Sequence, residues 1–384
     1  MTERHKEDWN PRSDEVLKDQ IKAYDTMRNR CPVAWSDYQQ WTLFRHQDLM
    51  TVLKDHETFS SNVSQHLSVP NGMDPPEHTS FRKVIEPYFA PEPIARFEPE
   101  CRDIAARLIA MLPRNNTVDV AHSFSRRYAL CVQCAFMGWP ESLHVPLAEW
   151  VQKNHRATLA RDRDAMTNVA EEFDGYIQEM LSVRRNAGDE APDDVTTSLM
   201  NETVNGRLMT DEELVSLMRN WTVGELATIS ASVSNLLHYL AVNPDLFQQL
   251  KAHPEELSGA IDEILRIDAP LISNRRISSQ DVMLGERNIP AGERITILWA
   301  SANRDEKVFG DPDKYCPHAN ADKNLLYGAG IHICPGAPLA RMELQVLMEE
   351  LLSKITRITL APDQQPTRAT FPTGGFNSLP LIFV

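Results

Sequence analysis

Cys334 stands within Leu325–Leu347, LLYGAGIHICPGAPLARMELQVL, where Gly328, Gly330 and Gly336 surround a single thiol just before apolar residues at helical spacing. Glycines permit tight turns and the close approach of another group, and Pro335 suits the first turn of a helix beginning beside the thiol. Amides and dipole at such a helix start favour thiolate over thiol. A small, inert buried cysteine is the ordinary alternative. A thiolate here can be a nucleophile, a zinc ligand or an iron ligand. A nucleophile wants a base, for which His332 is the only local candidate. Zinc wants further Cys or His at short spacing, and His332 and Cys316 form no recognised ligand pair. Haem iron needs one thiolate and room for a flat macrocycle, which is the most economical reading.

Other residues have spacings that matter only in company. Gly224 and Thr228, in NWTVGELATISAS, are four apart, so the Thr hydroxyl can bond the Gly carbonyl and open a helix locally. Glu225 lies three before Thr228, near the same face, where it either relays a proton or faces solvent or a partner helix. His78 and Arg82 share one helical face, as do Glu263 and Arg266. Cys131 and Cys134 form a Cys-x-x-Cys in an apolar helical run, where packing outweighs metal or redox work.

The elements that must position these residues are mostly helical. Apolar residues at three- and four-residue spacing mark DIAARLIAMLP, EEFDGYIQEMLSVRR and the segment after Cys334. The longest such segment starts at Thr210, with Glu213 as a capping box, and stops before Asn243-Pro244. At 1.5 Å per residue it spans on the order of 48 Å, enough to cross a large domain. Strand signals are short: WTLFR, DVMLG, NIPAGERITILWA and LPLIFV. The polar stretch NAGDEAPDD, from Asn186, reads as a surface loop, and Met209 and Met218 read as core.

The 384 residues, 42% apolar and 24% charged, describe a folded chain. A net charge of -15 without a basic block argues against nucleic acid. The polar start MTERHKEDWNPRSDE and the lack of a long apolar run argue for a cytoplasmic protein with no membrane anchor. The six cysteines are too sparse for a disulfide framework.

Tyr327 to Gly336, YGAGIHICPG, resembles the haem-binding signature of the cytochrome P450 family, with Tyr327 where phenylalanine is usual. The resemblance covers nearly the whole chain and implies a mainly α fold, one haem domain over residues 1–384 with small β-sheets, and haem b as cofactor. It implies Cys334 as iron ligand. It places His78, Arg82, Arg276 and His332 at the haem propionates, Gly330 and Gly336 around the macrocycle, and a structural Glu263–Arg266 pair tied to Arg304. It also implies that Thr228, with Gly224, delivers protons for dioxygen chemistry. The acid that usually precedes that threonine is Ala227 here, so Glu225 is the replacement candidate.

The implied reaction is monooxygenation, inserting one atom of O2 into a substrate C–H bond. No cysteine cluster follows Cys334, so electrons are expected from a ferredoxin and ferredoxin reductase, or from a fused reductase domain absent from this chain. Arg82 and Lys83 are candidates for a basic patch facing an acidic ferredoxin. NWTVGELATISASV resembles the subgroup with thiocarbamate-degrading and reductase-fused members, which implies a small apolar aromatic or alkyl-aromatic substrate undergoing hydroxylation or dealkylation. The expected pocket is lined from SSNVSQHLSVPNGM, Val223 to Thr228, APLISN and FPTGGFNSLP. A peroxygenase or isomerase, and a non-enzymatic helical protein with zinc at Cys334 and His332, are the rival readings.

Overall fold

The computed structural model describes residues 6–160, 162–371 and 374–384. The first five residues of the polar N-terminus, and Pro372 and Thr373 of the expected pocket, lie outside the described residues. The helices that matter for the site are α1 (His46–Lys54), α2 (Glu77–Ile85), α3 (Pro91–Ala110), α4 (Arg126–Met137), α5 (His144–Ala160) and α6 (Arg163–Ala187). After them come α7 (Asp211–Val242), α8 (Leu257–Ile267) and α9 (Ala337–Lys354).

The 32 residues of α7 are its longest run, and the cap expected at Thr210 is present in both directions. Glu213 N donates to Thr210 Oγ1 at 3.2 Å, and Thr210 N donates to Glu213 Oε2 at 2.8 Å. From Ile229 to Leu237 every residue is buried, so α7 is packed all round, as a helix through the middle of a large core must be. Asn243 closes the helix by donating its amide and side chain to Tyr239 O, and Pro244 starts the next one. Helices α3, α4, α7 and α9 contribute to one continuous apolar core.

The strands are small and marginal to that core. Five of them form a sheet in the order Val33–Ser36, Gln40–Leu43, Arg294–Leu298, Ser273–Ser278, Phe59–Ser60, and this sheet places Arg276 opposite Ile295. A second sheet joins Ile358–Leu360, Pro380–Phe383 and Thr117–Asp119. Each expected strand segment contains a strand, although Trp299 and Ala300 at the end of NIPAGERITILWA open a short helix instead, and the fold is mainly α. Met209 and Met218 are buried, and the six thiols, including Cys131 and Cys134, are free. The break after Ala187 is solvated at Asp189. Asp194 is bound: it caps Val195–Met200 and accepts from Arg184 at 2.6 Å. Among the described residues no helix is long and apolar enough to cross a membrane.

Candidate active site

The loop before α9 holds Cys334 by its backbone: Cys334 N donates to Tyr327 O at 2.9 Å, and Gly328 and Gly330 take φ of +76° and +72°. The space at Gly330 has a different use from the one expected. A Cβ there would sit 2.0 Å from Leu53 O, so the missing side chain admits the end of α1 rather than a macrocycle. At Gly336 a Cβ would make only ordinary contacts, 3.6 Å from Phe89 and 3.9 Å from Cys334 Sγ.

Helix α9 begins at Ala337, two residues beyond Pro335, with Gly336 as its N-cap. The amides of Gly336 and Ala337 do pull the Cys334 pKa down, yet burial outweighs them and the thiol is pushed up. The helix start alone therefore does not make a thiolate. Cys334 has open surface beside it while lying deep among protein atoms, which is the situation of a side chain lining a cleft.

Around the cysteine loop four basic side chains converge. His78 and Arg82 come from α2, Arg276 from its strand and His332 from the loop. The His78 and His332 rings lie 4.2 Å apart, and the Nε2 of each is buried without a partner. Burial, then Arg82, pushes the His78 pKa down to about 4. Burial, then the charges of His78, Arg276 and Arg82, pushes His332 down to about 3. Burial likewise brings Arg276 down to about 10. Among the described residues no carboxylate lies within ion-pair distance of His78, His332 or Arg276. Arg82 is differently placed: it is buried, donates to Ile333 O at 2.7 Å and pairs with Glu86 at 2.9 Å. It therefore braces the cysteine loop and cannot belong to a surface patch, which leaves Lys83 exposed without it.

Helix α7 supplies the opposite chemistry. Thr228 Oγ1 donates to Gly224 O at 2.8 Å, the bond expected from the spacing. Gly224 is exposed within a buried helix, and nothing lies within 4 Å of the place a Cβ would take, so α7 is open there. Glu225 does not turn toward Thr228; it faces a partner helix, meeting Glu343 of α9. Glu225 Oε1 and both Glu343 carboxylate oxygens are buried without any hydrogen-bond donor from the rest of the protein. Two such carboxyls in contact must share protons. Burial pushes Glu225 up to about 7 despite the hydrogen bond from Glu343, and burial with the Glu225 charge pushes Glu343 well above the carboxylate range. Tyr128 closes the cluster, donating to Glu343 O at 2.7 Å with Cys101 Sγ 3.2 Å from its hydroxyl. Sequence reading missed Glu343, although it interrupts the apolar stripe of Leu339 and Leu347 at four-residue spacing.

The Glu263–Arg266 pair is buried and supports the loop from behind. Arg266 donates to both Glu263 oxygens at 2.8 and 2.9 Å and to Asn303 O at 2.7 Å. The third partner of Glu263 is Asn320, at 2.7 Å, together with Cys316 N at 2.9 Å. Arg304 is absent from this group because Asp25 and Asp313 hold it, at 3.1 and 2.8 Å.

The family model described as Cytochrome P450 matches residues 142–259 and 255–380. The chain belongs to the cytochrome P450 family. Linalool 8-monooxygenase of Pseudomonas putida is 28% identical over 386 residues, covering 93% of this P450 and 94% of that protein. Erythromycin C-12 hydroxylase of Saccharopolyspora erythraea is 29% identical and covers 89% of each chain. The crystal structure of CYP108D1 from Novosphingobium aromaticivorans superposes with a TM-score of 0.85 at 27% identity, covering 97% of this P450 and 96% of that chain. The chain is a P450 monooxygenase, and the cofactor of its family is haem iron. The residues present fit that group: a thiol lines a cleft beside buried imidazole and guanidinium groups with no ion-paired carboxylate among the described residues.

Proposed function

We propose that this P450 hydroxylates or dealkylates a small apolar aromatic or alkyl-aromatic substrate, with haem b ligated by Cys334. The electrons come from a separate ferredoxin and ferredoxin reductase, or from a reductase domain fused to this one. In this reading residues 1–384 are a single haem domain of a cytoplasmic protein. The observation that carries it is the buried cluster of His78, His332 and Arg276 beside the Cys334 thiol, in which none of the three is ion-paired among the described residues.

When bound, haem b supplies the two-electron activation of O2 by which one oxygen atom enters a substrate C–H bond and the other leaves as water. His332, His78 and Arg276 would hold its propionates, Arg82 keeps the cysteine loop in place through Ile333 O, Gly330 lets that loop pack on the end of α1, and Gly336 stands beside the thiol. Thr228 carries the proton at its Oγ1 toward the cleft, with Gly224 O as its resting acceptor. Glu225 and Glu343 hold a shared proton one residue further round α7. The apolar class of substrate is supported by the uncharged side chains of Val223, Ala227 and Thr228 along α7, with Glu225 turned to Glu343, and by the linalool on which the Pseudomonas relative acts.

Reduced protein under carbon monoxide should show the strongly red-shifted Soret band of thiolate-bound haem, and titration with small alkyl-aromatics should shift the ferric haem from low to high spin. Product should form with reduced ferredoxin. A colourless purified protein, or a panel response limited to large polar molecules, refutes the cofactor or the substrate class respectively.

A further inference from the structure

We infer that this P450 has a second ligand site, for an organic anion with an apolar body, in a cavity between α4 and α5 behind the long helix. The inference is independent of the substrate class proposed above. The cavity encloses about 630 Å³, within the roughly 300–1,000 Å³ range of small-molecule sites. Its floor includes Leu226 of α7, two positions from both Gly224 and Thr228. Two residues are about 200° of helix rotation, so this wall is the side of α7 turned away from the open stretch at Gly224.

The charge at this cavity runs against the rest of the molecule. The chain carries -15, yet Arg126 and Arg127 line this space, with His122 and His144 beside them and Glu149 as the single lining carboxylate. Among the described residues neither arginine has a carboxylate within ion-pair distance. Arg126 Nη1 donates to His122 Nδ1 at 2.7 Å, a contact that brings no negative charge to the guanidinium. Asp119 is the acid whose field reaches Arg126, but its Oδ1 accepts from Ala121 N at 3.2 Å and Leu379 N at 3.0 Å. Half-buried and without a counter-ion, Arg126 lacks what an anionic ligand brings.

The remaining walls select for more than charge. Leu130 and Leu226 give an apolar floor, and Val145 stands 67% exposed at the rim with nothing covering it. A bare inorganic anion uses none of this surface. A carboxylate on an aryl or alkyl body satisfies both the guanidinium groups and the apolar floor.

The test uses haem-loaded enzyme with its cofactor cleft capped by saturating imidazole, titrated calorimetrically with 2-naphthoate. One saturable site is expected, with the Soret band unchanged. The paired substitution Arg126→Gln and Arg127→Gln should weaken binding by at least about tenfold, the loss of a charge-assisted contact. Ala148→Trp, which puts bulk into the cavity from the solvent side of α5 and changes no charge, should weaken it similarly even if the arginine variant folds poorly. The neutral 2-methylnaphthalene should bind at least about tenfold more weakly than 2-naphthoate. Absence of binding to the capped enzyme, or unchanged affinity in the folded arginine variant or in Ala148→Trp, overturns the inference.

Discussion

Replacing Glu225 by Gln should stabilise this P450 in mild alkali and leave it unchanged in acid. Glu225 and Glu343 meet with three buried oxygens that no other group serves, so the protons that lie between the two carboxyls are all that satisfies them. Folding raises the Glu225 pKa from its ordinary 4.5 to about 7 through burial. The native state therefore holds that proton more tightly than the unfolded chain does. Below about pH 4.5 both states are protonated and the contribution is fully present; it is lost progressively as pH rises through about 7. At about 1.4 kcal/mol for each pH unit between those values, the carboxylate costs the native state about 3 kcal/mol above about pH 8.

Glutamine keeps the shape, carries no charge, accepts the Glu343 hydroxyl proton at its carbonyl and donates from its amide to the other Glu343 oxygen. Urea unfolding of wild type and Glu225→Gln, followed by circular dichroism at about pH 4 and about pH 8.5, should give nearly equal stabilities at the lower pH. At the higher pH the variant should lead by about 3 kcal/mol. A difference that is the same at both pH values, or a variant weaker at the higher one, refutes the shared-proton description.

Three further outcomes follow from the same geometry. Thr228→Ala removes the hydroxyl bound to Gly224 O at 2.8 Å, and should lower product formed per electron pair by about tenfold or more while hydrogen peroxide release rises, measured with reduced ferredoxin and a responding substrate. Arg276→Gln deletes a buried cation with no ion-paired carboxylate among the described residues, and should speed haem loss to an acceptor globin by about tenfold to a hundredfold with the carbon monoxide spectrum unchanged. Gly330→Ala forces a Cβ to within 2.0 Å of Leu53 O at φ +72°, and should cost about 2–4 kcal/mol in urea unfolding.

The elements were legible because each has a local cause. Thr210 and Glu213 cap α7 by contacts three residues apart, and Asn243-Pro244 stops it with no help from the rest of the chain. The Thr228–Gly224 bond is local in the same way. What sequence spacing could not fix was direction and competition between distant groups. Glu225 is three residues from Thr228, yet the side chain it meets is more than a hundred positions away on α9. Arg304 follows Asn303, whose carbonyl Arg266 takes, but Asp25 and Asp313 draw it elsewhere and Asn320 fills the place at Glu263. Gly330 signals a close approach, and only the fold reveals that Leu53 is what approaches.

The same competition decides the chemistry of the centre. Left to the protein, burial overrides two helix-start amides and pushes the Cys334 thiol up, while burial, then Arg82 at His78 and the neighbouring basic groups at His332, holds both imidazoles neutral. These are two separate defects, a thiol short of positive charge and a cluster of basic groups short of the negative charge that would let its imidazoles ionise. A single ligand that is positive at its centre and carries anions on one edge cures both. Zinc at Cys334 and His332 would supply the first charge only. It would also leave Arg276 buried without an anion, and no group of three or more metal-binding side chains exists among the described residues to complete its shell. The arrangement of charge in the fold therefore specifies haem more sharply than the cysteine motif does alone.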